Sequence, residues 1–124
     1  MLTSGTNSVQ VGILKGYSEI ILLGCDCNYT EVINGAEIID NKGKIVMKEN
    51  INKNPNYWFD EYQQKGDEFN VPNTNGCQLP AWNRLYETIK CLKLNVKILN
   101  VNDNSKIECF DKILIDEYFN NYNK

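Results

Sequence analysis

The run Glu19-Ile-Ile-Leu-Leu-Gly24 constrains the fold more than any other part of the chain. It is a short, continuous apolar stretch bracketed by Gly16 and Gly24, too brief for an ordinary helix. Such a run predicts a strand covered on both faces, as in a parallel sheet. The segment before it has a different pattern. Thr3 or Ser4 caps a short helix running to about Lys15, with Val9, Ile13 and Leu14 on its apolar side. Gly16 then supplies the helix stop. A helix followed by a buried strand is half of a βαβ unit, and the strand that should pair first would precede Thr3. The expected class is α/β: a partial parallel sheet with flanking helices and a β-hairpin insertion.

Residues 16–29 are read as one continuous buried strand segment that carries Asp26 to a ligand-facing edge. Downstream, Ala36–Ile39 and Lys44–Met47 flank Asp40-Asn-Lys-Gly43, a hairpin turn signal. From Lys48 to Asn75 the chain alternates polar and aromatic residues, a long connection expected to be a lid, a ligand-binding segment or disordered. Pro80 opens a helix to about Leu94, with Trp82, Leu85, Tyr86, Ile89 and Leu92 on one stripe. Val96–Leu99 reads as the next strand, residues 100–106 as a polar loop, and Asp116 to Tyr122 as a last short helix. No repeat or internal boundary stands out, so residues 1–124 are expected to form a single domain.

The bulk numbers exclude several classes. With 42% hydrophobic and 23% charged residues the chain has a folded, globular composition. A net charge of −3 with scattered lysines argues against a general nucleic-acid binder. No apolar run approaches the roughly 18 residues of a membrane span. The N-terminus lacks the pattern of a signal peptide, and five cysteines without a repeated spacing suit free thiols, so a cytoplasmic location is expected. Cys25 and Cys27, if on a strand, would share a face. With no histidine and no second cysteine pair, no metal site and no cofactor are expected.

Three places could carry chemistry. Asp26 follows an apolar run, where a carboxylate needs partners. It is either a ligand contact at the carboxyl end of a strand or an acceptor for backbone N–H groups in the following turn. Ser4-Gly5-Thr6 opens a helix, so it either holds a phosphate or carboxylate or serves as an N-terminal cap. Tyr57, Trp58, Phe59 and Tyr62 either stack on a sugar or base or pin a long loop.

In order and spacing, these segments resemble the sialyltransferases of bacterial lipooligosaccharide synthesis. They are equally similar to the MptE-like (6-hydroxymethylpterin pyrophosphokinase-like) group. The resemblance is carried by Thr3-Ser-Gly, the following helix and Gly16-Tyr-Ser-Glu-Ile-Ile-Leu-Leu-Gly-Cys-Asp26. Further on it includes Pro55-Asn-Tyr-Trp58, Phe69-Asn-Val-Pro72, the helix from Trp82, Val96-Lys-Ile-Leu-Asn100 and Asn104-Ser-Lys-Ile-Glu-Cys-Phe110. It covers nearly the whole chain and implies a Rossmann-like sheet corresponding to the C-terminal half of a glycosyltransferase domain.

What the resemblance implies is binding of a nucleotide sugar, such as a cytidine monophosphate sugar, and transfer of the sugar to a glycan acceptor. By that analogy Ser4, Gly5, Asp26, Asn28 and Tyr29 would line the donor site. Two features depart from the pattern. The Gly-Asn-Gly-Pro-Ser type of nucleotide loop has no counterpart here. Tyr57 also occupies the position of the expected histidine base, and the chain has no histidine. The expectation is therefore a truncated or split transferase, inactive alone. It would associate with a second copy or with a chain supplying the N-terminal half. The alternatives are a non-catalytic ligand-binding or interaction module and a pyrophosphokinase-related protein.

Overall fold

The computed structural model describes residues 3–29, 33–39, 44–70 and 73–122. The chain forms two compact units, one of residues 1–28 with 74–124 and one of residues 29–73.

The first unit begins with helix α1, Ser4–Leu14. Its start is fixed by a reciprocal cap: the Thr3 hydroxyl accepts from the Thr6 amide at 3.3 Å, and the Thr6 hydroxyl accepts from the Thr3 amide at 2.9 Å. Gly16, at φ +82°, ends the helix in the left-handed conformation that glycine adopts without penalty. Strand β1 follows, Glu19–Leu22, shorter than the sequence suggests. A π-helical turn, Thr74–Gln78, leads into helix α2, Leu79–Cys91, whose early Pro80 sacrifices no helical hydrogen bond. Strand β5 (Lys97–Asn100), a two-residue strand β6 (Asp111–Lys112) and helix α3 (Ile115–Tyr122) complete the unit. The three strands make a parallel sheet in the order β1-β5-β6, with Leu22 in register with Asn100 and Asn100 with Lys112.

Strand alternation assigns the layers. Ile20, Leu22 and Ile98 share one face, where Leu22 and Ile98 join Val9, Trp82, Leu85, Ile89, Ile107 and Phe110 in the main core. Phe110 meets Trp82 and Tyr86 edge to face, at 6.1 and 5.7 Å between centroids. Glu19, Ile21, Lys97 and Leu99 fall on the opposite face. There the Tyr118 hydroxyl of α3 bonds the Glu19 carboxylate at 3.2 Å, and Lys97 pairs with Glu19 at 3.5 Å.

Two expectations are corrected. Among the described residues β1 pairs only with β5, so it is an edge strand, half-buried at Ile20 and Ile21 and buried at Leu22 alone. The continuous strand expected over residues 16–29 ends at Leu22. Leu23 is 70% exposed, and residues 23–29 form a loop. The cause is positional: among the described residues β1 has a neighbouring strand on one side only, and its pairing with β5 stops at Leu22.

The second unit is an antiparallel sheet in the order β2-β3-β4, made of Ala36–Ile38 (β2), Lys44–Met47 (β3) and Glu68–Asn70 (β4). The hairpin between β2 and β3 is present, and the turn expected at 40–43 lies outside the described residues. Ile33, Ile45 and Met47 supply its buried apolar residues. Asn54 organises the aromatic segment. Its side chain accepts from the amides of Asn56 and Tyr57 and donates to Gln63 at 3.0 Å. Among the described residues no helix is long and apolar enough to cross a membrane.

Candidate functional site

The carboxyl ends of β1 and β5 place two loops side by side, residues 23–28 and 101–107. Ser105 joins them. Buried at 4% exposure, its hydroxyl donates to the Cys25 carbonyl at 2.8 Å, lies 3.3 Å from the Asp26 carbonyl, and accepts from the Ile107 amide at 3.1 Å. The Lys106 amide adds a 2.7 Å bond to the Asp26 carbonyl. Lys112, at the end of β6, donates to the Ser105 carbonyl at 2.6 Å. The loop after β1 is thus held by its backbone, with the Asp26 and Asn28 side chains exposed.

Asp26 is one of those side chains. Its carboxylate is exposed and accepts from the Asn28 amide at 3.3 Å. The backbone-acceptor role is therefore present, together with exposure at a strand's carboxyl end. Cys27 takes φ +51°, so the strand alternation that would put Cys25 and Cys27 on one face does not apply. Both are half-buried free thiols packed against the main core, as is Cys109. Burial raises all three, the Cys109 thiol to about 11. The Trp82 indole N–H, bonded to the Cys27 sulfur, partly offsets this at Cys27. Thiols held protonated in this way are poor nucleophiles and poor metal ligands. Among the described residues no three His, Cys, Asp or Glu side chains converge as a ligand set.

Ser4 is the first residue of α1 and is exposed, while the cap itself is Thr3. Gly5 has a packing role: a Cβ there would lie 2.7 Å from Cζ2 of Trp82. The two helices close on each other at this point because residue 5 has no side chain. Gly5, Trp82 and Cys27 therefore form a contact chain from the start of α1 to the loop after β1, next to Asp26 and Asn28. Tyr29 and Tyr57 belong to the other unit. Burial raises the Tyr29 phenol, countered in part by Gln63. Tyr57 stacks on Tyr62 with centroids 4.1 Å apart, and burial together with Tyr62 raises its phenol above the usual value.

The residue that sequence reasoning missed is Asn100, assigned there to a polar loop. It ends β5, is fully buried, and shares the face of Leu22 and Ile98. Its Oδ1 accepts from the Asn102 amide at 3.2 Å, while its buried Nδ2 has no hydrogen-bond partner. The signal was available, because Asn100 follows an apolar strand run just as Asp26 does. Compared with known protein families, curated proteins and solved structures, the chain matches none.

Proposed function

We propose that this chain is the non-catalytic, donor-contacting half of a sialyltransferase-like glycosyltransferase. In this reading a nucleotide sugar, a cytidine monophosphate sugar in particular, meets the carboxyl edge of the β1-β5-β6 sheet. Asp26 and Asn28 touch the donor. Ser4 and Gly5 lie at the adjoining start of α1. The observation that supports it is the fastened loop after β1, which holds an exposed carboxylate at the carboxyl end of a parallel strand. Open α/β sheets bind ligands at such edges. The glycan acceptor and the transfer step need a nucleotide loop and a base beyond the described residues.

A thermal-shift screen of the purified chain against nucleotides and nucleotide sugars tests this. Stabilisation by cytidine nucleotides alone, reduced by Asp26→Ala, is the expected result, with no turnover of cytidine monophosphate sialic acid at neutral pH. Turnover by the isolated chain refutes the non-catalytic half of the reading. No shift with any nucleotide refutes the donor site. That outcome favours an interaction module, a reading supported by the place of β1 at the edge of the sheet among the described residues.

A further inference from the structure

We propose that the chain associates with a second copy of itself, α3 of each copy entering the groove between α1 and α2 of the other. The groove belongs to the first unit and has a volume of about 290 Å³. Its walls include Ile13, Leu14, Leu85, Ile89 and Leu92, and two of these are widely open to solvent: Leu14 is 86% exposed and Leu92 63%. An apolar trough of this kind on a helical surface suits an amphipathic helix.

Charge narrows the choice of helix. Arg84, the only arginine of the chain, is the one charged residue among the described residues that line the groove. α1 carries no acidic residue. Lys15 follows Leu14, and Lys93 stands between Leu92 and Leu94 at the end of the groove. The matching helix therefore carries apolar residues beside acids. α3 has that composition. Ile115 and Phe119 are 41% and 57% exposed, Leu114 just before the helix is 50% exposed, and Asp116 and Glu117 occupy its first turn.

The lengths also agree. Eight residues of α3 rise about 12 Å, and the groove wall from Ala81 to Leu92 rises about 16 Å. A copy's own α3 is held elsewhere: its Tyr118 bonds Glu19 on the sheet face opposite the one that packs against the α1–α2 core. A two-fold arrangement makes each copy both donor and acceptor of a helix, which doubles the buried surface. This inference is independent of the nucleotide-sugar reading.

Sedimentation velocity of the full chain over a micromolar-to-submillimolar series tests it. The expected species is a concentration-dependent dimer. Arg84→Glu and Phe119→Glu should each weaken it by about tenfold or more, with unchanged circular dichroism. Arg84→Glu mixed with an Asp116→Lys/Glu117→Lys chain should regain heterodimer at lower concentration than either alone. A monomer throughout the series overturns the proposal, as does a dimer indifferent to both substitutions. Arg84-dependent binding of a monomer to phosphatidylserine vesicles overturns it too, by assigning the same apolar, basic surface to a membrane.

Discussion

Replacing Ser105 with alanine removes the group that joins the two carboxyl-edge loops, and the structure sets the size of the effect. The hydroxyl serves the Cys25 carbonyl at 2.8 Å and the Ile107 amide at 3.1 Å. Ile107 is 1% exposed, so its amide gains no water in exchange. Leaving one buried partner unsatisfied costs about 1–3 kcal/mol. The Asp26 carbonyl is spared, because the Lys106 amide still bonds it. Two orphaned groups therefore put the loss at about 2–6 kcal/mol, a large share of the roughly 5–15 kcal/mol that holds a domain together. Urea denaturation of Ser105→Ala should show that loss, and amide exchange at Lys106 should accelerate as the loop loosens. Ser8→Ala is the control. Its hydroxyl bonds the Ser4 carbonyl on an exposed helix surface, so its cost should stay within about 0.5 kcal/mol. A Ser105→Ala loss no larger than the control's, with Lys106 exchange unchanged, would refute the claim that this hydroxyl fastens the site.

Gly5→Ala should fail to stabilise the protein, although alanine is favoured over glycine in a helix by about 1 kcal/mol. The new Cβ lies 2.7 Å from the Trp82 ring, and the shift should appear in tryptophan fluorescence; a gain of about 1 kcal/mol would contradict the close approach. Asn100→Ala should cost less than Leu99→Ala, for which about 2–5 kcal/mol is expected, because it removes an unpartnered donor along with one bond; urea midpoints compare the two. Burial raises Cys109 from 9.0 to about 11, so the folded protein favours the protonated thiol. Its contribution to stability is complete below pH 9 and is lost as pH rises toward 11. The pH dependence of alkylation at Cys109 should be displaced upward to match, and a midpoint near that of a free thiol would refute the burial.

The helices and the α/β alternation were legible because they rest on local chemistry. Capping at Thr3, the glycine stop at Gly16 and the stripe of Trp82, Leu85 and Ile89 are set by neighbours in sequence. Position within a sheet is not local. The run at residues 19–24 looks doubly covered, yet β1 stands at an edge of the described sheet and ends at Leu22. The same limit hid Asn100, whose burial depends on α1 and α2 closing over its face. The role of Gly5 was hidden as well, since its constraint comes from Trp82, 77 positions along the chain. For Asp26 the sequence left two roles open, and the structure provides for one of them within the molecule, with the carboxylate still facing outward.

The aromatic segment bears on the chemistry through its acidity. A general base works best with a pKa near the operating pH. An unperturbed phenol is ionised only about one part in a thousand at pH 7, and Tyr57 lies further from that range because burial and Tyr62 both raise it. The stack on Tyr62 holds the ring in this environment. Tyr57→Phe should therefore leave any donor-induced thermal shift intact, since the phenol is not called upon to ionise. It should also raise the stability of the second unit at high pH relative to the wild type. A phenol raised on folding favours the folded state below its unfolded value and loses that contribution as pH climbs through its folded value. Thermal melts of both proteins from pH 8 to pH 11 give the comparison. A Tyr57→Phe curve that falls with pH as steeply as the wild type's would show that the phenol titrates freely, and the argument against it as a base would lose its physical ground.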